Sequence, residues 1–181
     1  RIILGVGIGW LAEEFEALSI NYGDRAAMSD EQIAFFRQVW YEETPDFKGT
    51  FYNYRQLRFL PRPQAKIPIW IGGNGRPALT RAVRLGDGVN FIDLNADELE
   101  RTLQELSRLC SDGGRSVNDL DTSMRASFKV KDGPLSESDS LQPLTGTLDA
   151  IIDELKRYAE LGMDHIILSP RAVWDLDQLI A

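Results

Sequence analysis

The residues best suited to chemistry are two glycine clusters, each directly after a short apolar run. The first is Gly5, Gly7 and Gly9 ahead of Trp10, at the end of the run formed by residues 2–6. It approaches the G-x-G-x-x-G dinucleotide fingerprint without meeting it, because Trp10 occupies the last glycine position. The second is Gly72, Gly73, Asn74 and Gly75, which follows residues 69–71 and leads into Arg76 and Pro77. Residues without a β-carbon let a ligand approach the main chain. The first turn of a helix also leaves N–H groups unpaired at the positive end of its dipole. A phosphate suits that position, with Arg76 as a charge-assisted partner. A tight turn that holds no ligand accounts for the same residues, so both readings stand at this point.

Other reactive types are sparse. One histidine, His165, cannot build a histidine-based metal cluster, and one cysteine, Cys110, cannot form an internal disulfide. The chain reads as metal-free and cytoplasmic. His165 precedes Ile166 at a strand entrance, so a structural or exposed role is expected. Asp87 and Asp164, at similar strand entrances, read as turn residues. Cys110 falls on the buried face of a helix, where a thiol is inert. Glu13 and Glu14 are adjacent, so on a helix at most one faces a site. Trp10 either lines a pocket mouth or packs.

Positioning these residues requires a βα order repeated five times. Residues 2–6 (IILGV) are predicted as a strand buried on both faces. Ser29 with Gln32 is a capping-box signature ahead of Ile33, Phe36 and Trp40, which predicts a helix at about residues 29–43. Residues 44–66 alternate aromatic and polar residues around Gly49, then carry Pro61 and Pro63. They read as a hairpin and extended linker anchored by Phe51, Tyr52 and Tyr54. Residues 69–71 form a buried strand, followed by a helix from about Pro77 to Leu85 that Gly86 stops. Residues 89–92 are the next strand. Asn95 with Glu98 caps a helix whose buried face is Leu99, Leu103, Leu106 and Cys110. Residues 124–131 are a strand, and residues 132–146 are a polar loop that leaves a strand's C-terminal end, a candidate lid over a barrel mouth. Leu148, Ile151, Ile152, Leu155, Tyr158 and Ala159 trace one face of a helix stopped by Gly162. Residues 165–168 form a strand and residues 173–180 a last helix. Apolar strands alternating with helices build a parallel sheet, either doubly wound or a (β/α)8 barrel.

At 181 residues, 43% hydrophobic and 27% charged, the chain is expected to be a single cored domain over 1–181. Its net charge of −8 opposes general nucleic-acid binding. No apolar run approaches the roughly 18 residues of a membrane span.

Four segments together resemble one family. They are GVGIGW followed by Glu13, Glu14 and Phe15; Lys48, Gly49, Thr50, Phe51 and Tyr52; PIWIGGNGRPALTRAVRLGDG over residues 68–88; and LKRYAELGMDHIIL over residues 155–168. In order and spacing they are similar to the luciferase-like monooxygenase superfamily, and within it to the branch of probable oxidoreductases using the deazaflavin coenzyme F-420. The resemblance implies a (β/α)8 TIM barrel of which this chain supplies roughly the last five units. It implies F-420 or FMN at the C-terminal mouth, with the phosphate on Gly72, Gly73, Asn74, Gly75 and Arg76 and with Ala78 in the helix's first turn. By the same resemblance Gly7, Ile8 and Gly9 are expected beside that phosphate. The luciferase branch has a phosphate-binding arginine at the position of Ile8, so here main-chain groups must serve. With F-420 the implied reaction is hydride transfer to a small organic substrate; with FMN it is monooxygenation. The acid or base is expected on three further βα units upstream of Arg1, so no residue of this chain is assigned that role. A homodimer is implied, with neither nucleic acid nor membrane as a partner. The rivals are a Rossmann-like enzyme holding NAD or S-adenosylmethionine on GVGIG, and a truncated, non-catalytic flavin-binding member.

Overall fold

The chain is described from a computed structural model over residues 2–131, 133 and 143–170. Along it run β1 (Leu4–Val6), α1 (Ala12–Ala17), α2 (Arg25–Tyr41), β2 (Phe47–Lys48), β3 (Asn53–Tyr54), β4 (Ile69–Gly72), α3 (Arg76–Leu85) and β5 (Gly88–Ile92). There follow α4 (Ala96–Asp112), β6 (Asp121–Val130), β7 (Leu144–Gly146), α5 (Leu148–Glu160) and β8 (His165–Pro170). The main sheet is parallel throughout, in the order β1-β4-β5-β6, with β7 and β8 both paired to β6. A doubly wound sheet reverses its strand order at a switch point, and no reversal occurs among the described strands. Strands added in chain order by right-handed crossovers put their helices on one face. Accordingly α2 packs on α3, α3 on α4 and α4 on α5. The barrel-type reading therefore stands and the Rossmann-like rival lacks its crevice.

Strand alternation divides the side chains between two faces. Ile69, Ile71, Val89, Phe91, Met124 and Ala126 face the helices and form one buried cluster with Leu79, Ala82, Leu99, Leu106, Cys110, Ile151 and Tyr158. Trp70, Gly72, Asn90, Ile92, Ser123, Arg125 and Ser127 alternate with them and belong to the inner face.

Helix positions follow from local capping. α4 carries the expected reciprocal box between Asn95 and Glu98. The predicted box at Ser29 and Gln32 does not form, and α2 starts at Arg25 and ends at Tyr41 instead of spanning 29–43. The Asn21 side chain accepts from the Gly23 N–H at 3.1 Å and organises a 3-10 turn, Tyr22–Asp24, that runs straight into the helix. Ser29 is thereby buried in mid-helix. Its neighbour Glu31 accepts hydrogen bonds from the N–H groups of Thr50, Phe51 and Tyr52 at 2.8, 2.9 and 2.7 Å, which ties the β2–β3 hairpin to α2. Phe35 completes that anchor, edge-on to Phe47 and stacked with Tyr54 at centroid distances of 5.3 and 5.1 Å.

Four further expectations need revision. Among the described residues β1 pairs with β4 alone and Ile2 and Ile3 are exposed, so the expected burial on both faces is not seen within them. β6 begins at Asp121, three residues earlier than predicted, because its first residues pair with β5 from Gly88 onward. Leu148 and Ile152 are exposed, whereas Ile151 and Tyr158 of the same predicted face are buried. Residues 144–146 are the strand β7, capped into α5 by Thr147, and the rest of the candidate lid (132 and 134–142) lies outside the described residues, as does the predicted helix 173–180. No helix among the described residues is long and apolar enough to cross a membrane.

The N-terminal edge of the sheet is stitched by carboxylates. Asp87 accepts from the Ile69 N–H and from Arg37 Nη2, each at 2.9 Å, and from Lys66 Nζ. Asp164 repeats the device on β6, accepting from the Thr122 N–H at 2.8 Å and from its hydroxyl at 3.0 Å. Both aspartates thus join neighbouring strands as well as turning the chain. Burial alone would raise the Asp87 carboxyl, but the bonds from Lys66, the Ile69 N–H and Arg37 outweigh it and hold the group below its ordinary value. A carboxyl depressed in the folded state contributes fully above its unfolded value, about 3.9, and loses that contribution as pH falls through the folded value. Asp87→Asn is expected to lower the unfolding free energy by about 1–3 kcal/mol at neutral pH. In urea titrations that deficit should stay constant down to about pH 4 and close below it.

Candidate functional site

The two glycine clusters meet at the C-terminal edge of the sheet. β1 pairs with β4, Val6 opposite Ile71, so the loops leaving these strands emerge side by side. Among the described residues, the surface beneath them is open. A β-carbon placed on Gly5 or Gly7 would meet nothing within 4 Å, and one on Gly72 would meet only the Val6 carbonyl oxygen, at 3.6 Å. Gly9 differs: its φ is +79° and a β-carbon there would lie 2.7 Å from the Phe15 ring. Phe15 is held edge-on by Tyr22 at 5.3 Å, and the Tyr22 hydroxyl donates to the Trp10 carbonyl at 3.0 Å. The 7–10 loop is therefore backed by a fixed aromatic pair. The indole of Trp10 is itself exposed.

The second loop is pinned in three places. Gly73, at φ +129°, donates its N–H to the Asn90 carbonyl at 3.0 Å and lies against the Ala78 methyl. Asn74 donates to the Ile92 carbonyl at 2.8 Å and accepts from the Ile92 N–H at 2.9 Å, which locks the loop to the end of β5. Gly75 is the N-cap of α3, and its carbonyl accepts from the N–H groups of Ala78 and Leu79. Among the described residues, nothing accepts from the N–H groups of Asn74, Gly75 and Arg76, and Pro77 has none to offer. Three main-chain donors thus remain at the positive end of a ten-residue helix. The Arg76 guanidinium pairs with Glu105 on α4, a carboxylate that Arg108 also engages. Attraction for an anion at this loop accordingly rests on main-chain donors and helix dipole, the arrangement already implied at Ile8.

Further along the inner face is a row of polar side chains that sequence reasoning did not single out. The Ser123 hydroxyl donates to the Val89 carbonyl at 2.9 Å and lies 3.0 Å from Asn90 Oδ1. Beyond it Arg125 and Ser127 meet Asp93, whose φ of +49° is unusual for a residue other than glycine. The available signal was alternation: Asn90, Ser123, Arg125 and Ser127 each interrupt an apolar strand on the same side. At the opposite end the floor is Trp70, fitted over Gly88, where a β-carbon would lie 2.6 Å from the indole. His165 packs against Trp70 with ring centroids 5.1 Å apart and the planes tilted by 56°, far from the glycine loops along the strand direction.

The remaining reactive groups are occupied. Burial pushes the Cys110 thiol up, which keeps it protonated and inert. Burial likewise raises the Tyr158 phenol, which donates to the Leu94 carbonyl at 2.7 Å on the helix side of the sheet. Glu14 lines a small cavity of about 270 Å³ behind Gly7, Ile8 and Gly9, together with Arg25 and Ser29, while Glu13 belongs to the same first turn of α1. Among the described residues, no group of three or more His, Cys, Asp or Glu side chains is arranged to hold a metal ion.

Comparison with known proteins agrees with this topology. Residues 1–139 match the family described as luciferase-like monooxygenase. The chain is 31% identical over 129 residues to an F-420-dependent glucose-6-phosphate dehydrogenase of Microbacterium testaceum, covering 68% of this chain and 38% of that protein. It is 30% identical over 90 residues to an FMNH(2)-dependent dimethylsulfone monooxygenase of Pseudomonas fluorescens, covering 48% of this chain and 25% of that protein. The chain thus spans about 40% of the length of the curated relatives it matches. Among solved structures, an F-420-dependent secondary alcohol dehydrogenase in complex with an F-420–acetone adduct superposes with a TM-score of 0.79 at 18% identity, over 94% of this chain and 64% of that one. A match running from the first strand past the end of β6, on a parallel sheet of this order, makes the chain a member of the luciferase-like monooxygenase family and its sheet part of a (β/α)8 barrel.

Proposed function

We propose that this chain is the cofactor-phosphate half of an oxidoreductase that binds a phosphate-bearing deazaflavin or flavin at the C-terminal mouth of its barrel, with F-420 the first expectation. The observation that carries this reading is the pair of glycine-opened strand ends, side by side, with three unengaged N–H groups above a bare inner face. When bound, reduced F-420 supplies a hydride to a small organic substrate, whereas reduced FMN supplies the electrons for monooxygenation. The relative named for F-420 supports the first and the FMNH(2)-dependent relative keeps the second in play.

The chain's own residues then have distinct tasks. The N–H groups of Asn74, Gly75 and Arg76 hold phosphate oxygens, with Gly7, Ile8 and Gly9 closing the adjacent side. Asn74 fixes the height of that loop through both of its bonds to Ile92. Gly5, Gly7 and Gly72 leave the inner face open for a planar ring, because a side chain at any of them would occupy that space. Asn90 and Ser123 present polar atoms to the ring's neighbourhood. The proton donor or acceptor is assigned to other strands of the barrel, and the homodimer belongs to the same proposal.

Titration of the full-length protein with F-420, followed by cofactor fluorescence, and with FMN in parallel, tests the reading. Saturable binding of F-420 tighter than FMN is expected. Tighter FMN would move the protein to the monooxygenase chemistry, and binding of NAD or S-adenosylmethionine with neither flavin would overturn the proposal. Two glycine variants separate architecture from ligand space. Gly7→Leu should weaken cofactor binding by about tenfold or more while unfolding stays within about 0.5 kcal/mol of wild type. Gly9→Ala, which forces an alanine to positive φ against Phe15, should lower stability by about 1–3 kcal/mol in denaturant titrations.

A further inference from the structure

We propose that Arg125 anchors the substrate through an oxyanion, a carboxylate or a phosphate monoester, and that Asp93 positions it. This rests on the cofactor reading above and names the substrate class for the same mouth. Arg125 lies on β6 opposite Ile92 of β5 and Ile167 of β8, on the inner face, between the helix-facing Met124 and Ala126. Its side chain is 42% exposed.

One edge of the guanidinium is tethered. Asp93 Oδ2 accepts from Arg125 Nη2 at 3.2 Å, and Asp93 Oδ1 accepts from the Ser127 N–H at 2.6 Å. The Ser127 hydroxyl adds a bond to Oδ2 at 3.3 Å, and the Asp93 N–H donates to the Arg125 carbonyl at 3.0 Å. Asp93 is thus clasped by β6 on three sides and held at φ +49°, a conformation that persists only where surrounding bonds impose it. The other guanidinium donors, Nε and Nη1, have no acceptor among the described residues. An arginine with one edge fixed by a carboxylate and the other free is a preorganised fork for a two-oxygen anion.

Arg125 is distinguished from the loop after β4 by its partner: β5 lies between them, about 10 Å separates β6 from β4 at ~4.8 Å per strand, and the guanidinium is held by Asp93 at the end of β5. Its near neighbours on the face, Asn90, Ile92, Ser123 and Ile167, are uncharged, so among the described residues Asp93 is the carboxylate that engages it.

Calorimetric titration of the F-420-saturated full-length protein with malonate and with inorganic phosphate tests the assignment, with uncharged malonamide as control. Saturable binding of at least one anion, and none of malonamide, is expected; which anion binds identifies the class. Arg125→Gln should weaken that anion by about tenfold or more, with Arg125→Lys intermediate and the F-420 affinity unchanged as the measure of an intact fold. Asp93→Asn should weaken it less, by about threefold. Failure of both anions to bind wild type, wild-type anion affinity in Arg125→Gln, or an equal loss of F-420 affinity in that variant would each overturn the proposal. Should wild type fail to bind F-420, the cofactor reading fails by itself, and anion titration without cofactor still decides whether Arg125 is the anchor. If Arg125→Gln does not fold, Arg125→Lys and Asp93→Asn carry the same comparison.

Discussion

Parallel strands laid down in chain order cannot share their helices between two faces, and most of this structure follows from that constraint. Each crossover returns on the same side, so α2, α3, α4 and α5 form one continuous layer. The side chains that alternate toward that layer must be apolar and close-packed, and Ile69, Ile71, Val89, Phe91, Met124 and Ala126 are. Those that alternate away face the inside of the barrel, where glycine, asparagine, serine and arginine are tolerated because that surface is reserved for something other than core packing. Direction along the strands adds a second division. Asp87 and Asp164 bind strand-starting N–H groups at one end, while glycines open the other end. Stability and the proposed cofactor site are thereby allotted to opposite edges of one sheet.

Arginine is used mainly to hold helices in that layer. Arg81 is buried against Asp30, Arg37 reaches the Leu85 carbonyl and Asp87, and Arg115 donates to the carbonyls of Val83 and Gly86 at 2.9 and 3.0 Å, capping the C-terminus of α3. Arg76, the cation nearest the glycine loop, is partnered by Glu105. The loop proposed to hold the phosphate is left with main-chain donors, which carry no side-chain entropy and keep their direction because Asn74 and Ala78 fix the backbone around them. A rigid donor set of this kind favours a fixed, recurrent group such as a phosphate.

Elements with strong local signals are legible in the sequence. The Asn95–Glu98 box, the stop at Gly86 and the glycine run after residue 71 depend on neighbours a few positions away, and each formed where spacing predicted. The Ser29–Gln32 box has the same letters but failed, because Asn21 caps an earlier turn and the helix had already begun at Arg25. Burial that depends on a neighbour in space is less legible: residues 2–6 are apolar enough for a central strand, and among the described residues β1 pairs with β4 alone. The site divided in the same way. Glycines announce themselves in sequence, whereas Arg125 and Asp93 acquire meaning only when β5 and β6 are set in register and the strand faces are assigned. The family resemblance supplied the barrel; the topology shows why these residues build it.

The central claim is that the main chain at the start of α3 receives a cofactor phosphate. A crystal structure of the full-length protein with F-420 bound tests it most directly. The account predicts phosphate oxygens within about 2.7–3.2 Å of the Asn74, Gly75 or Arg76 nitrogens, with the ring over Gly5, Gly7 and Gly72. A phosphate held elsewhere, or a ring against the helix-covered face, would contradict it.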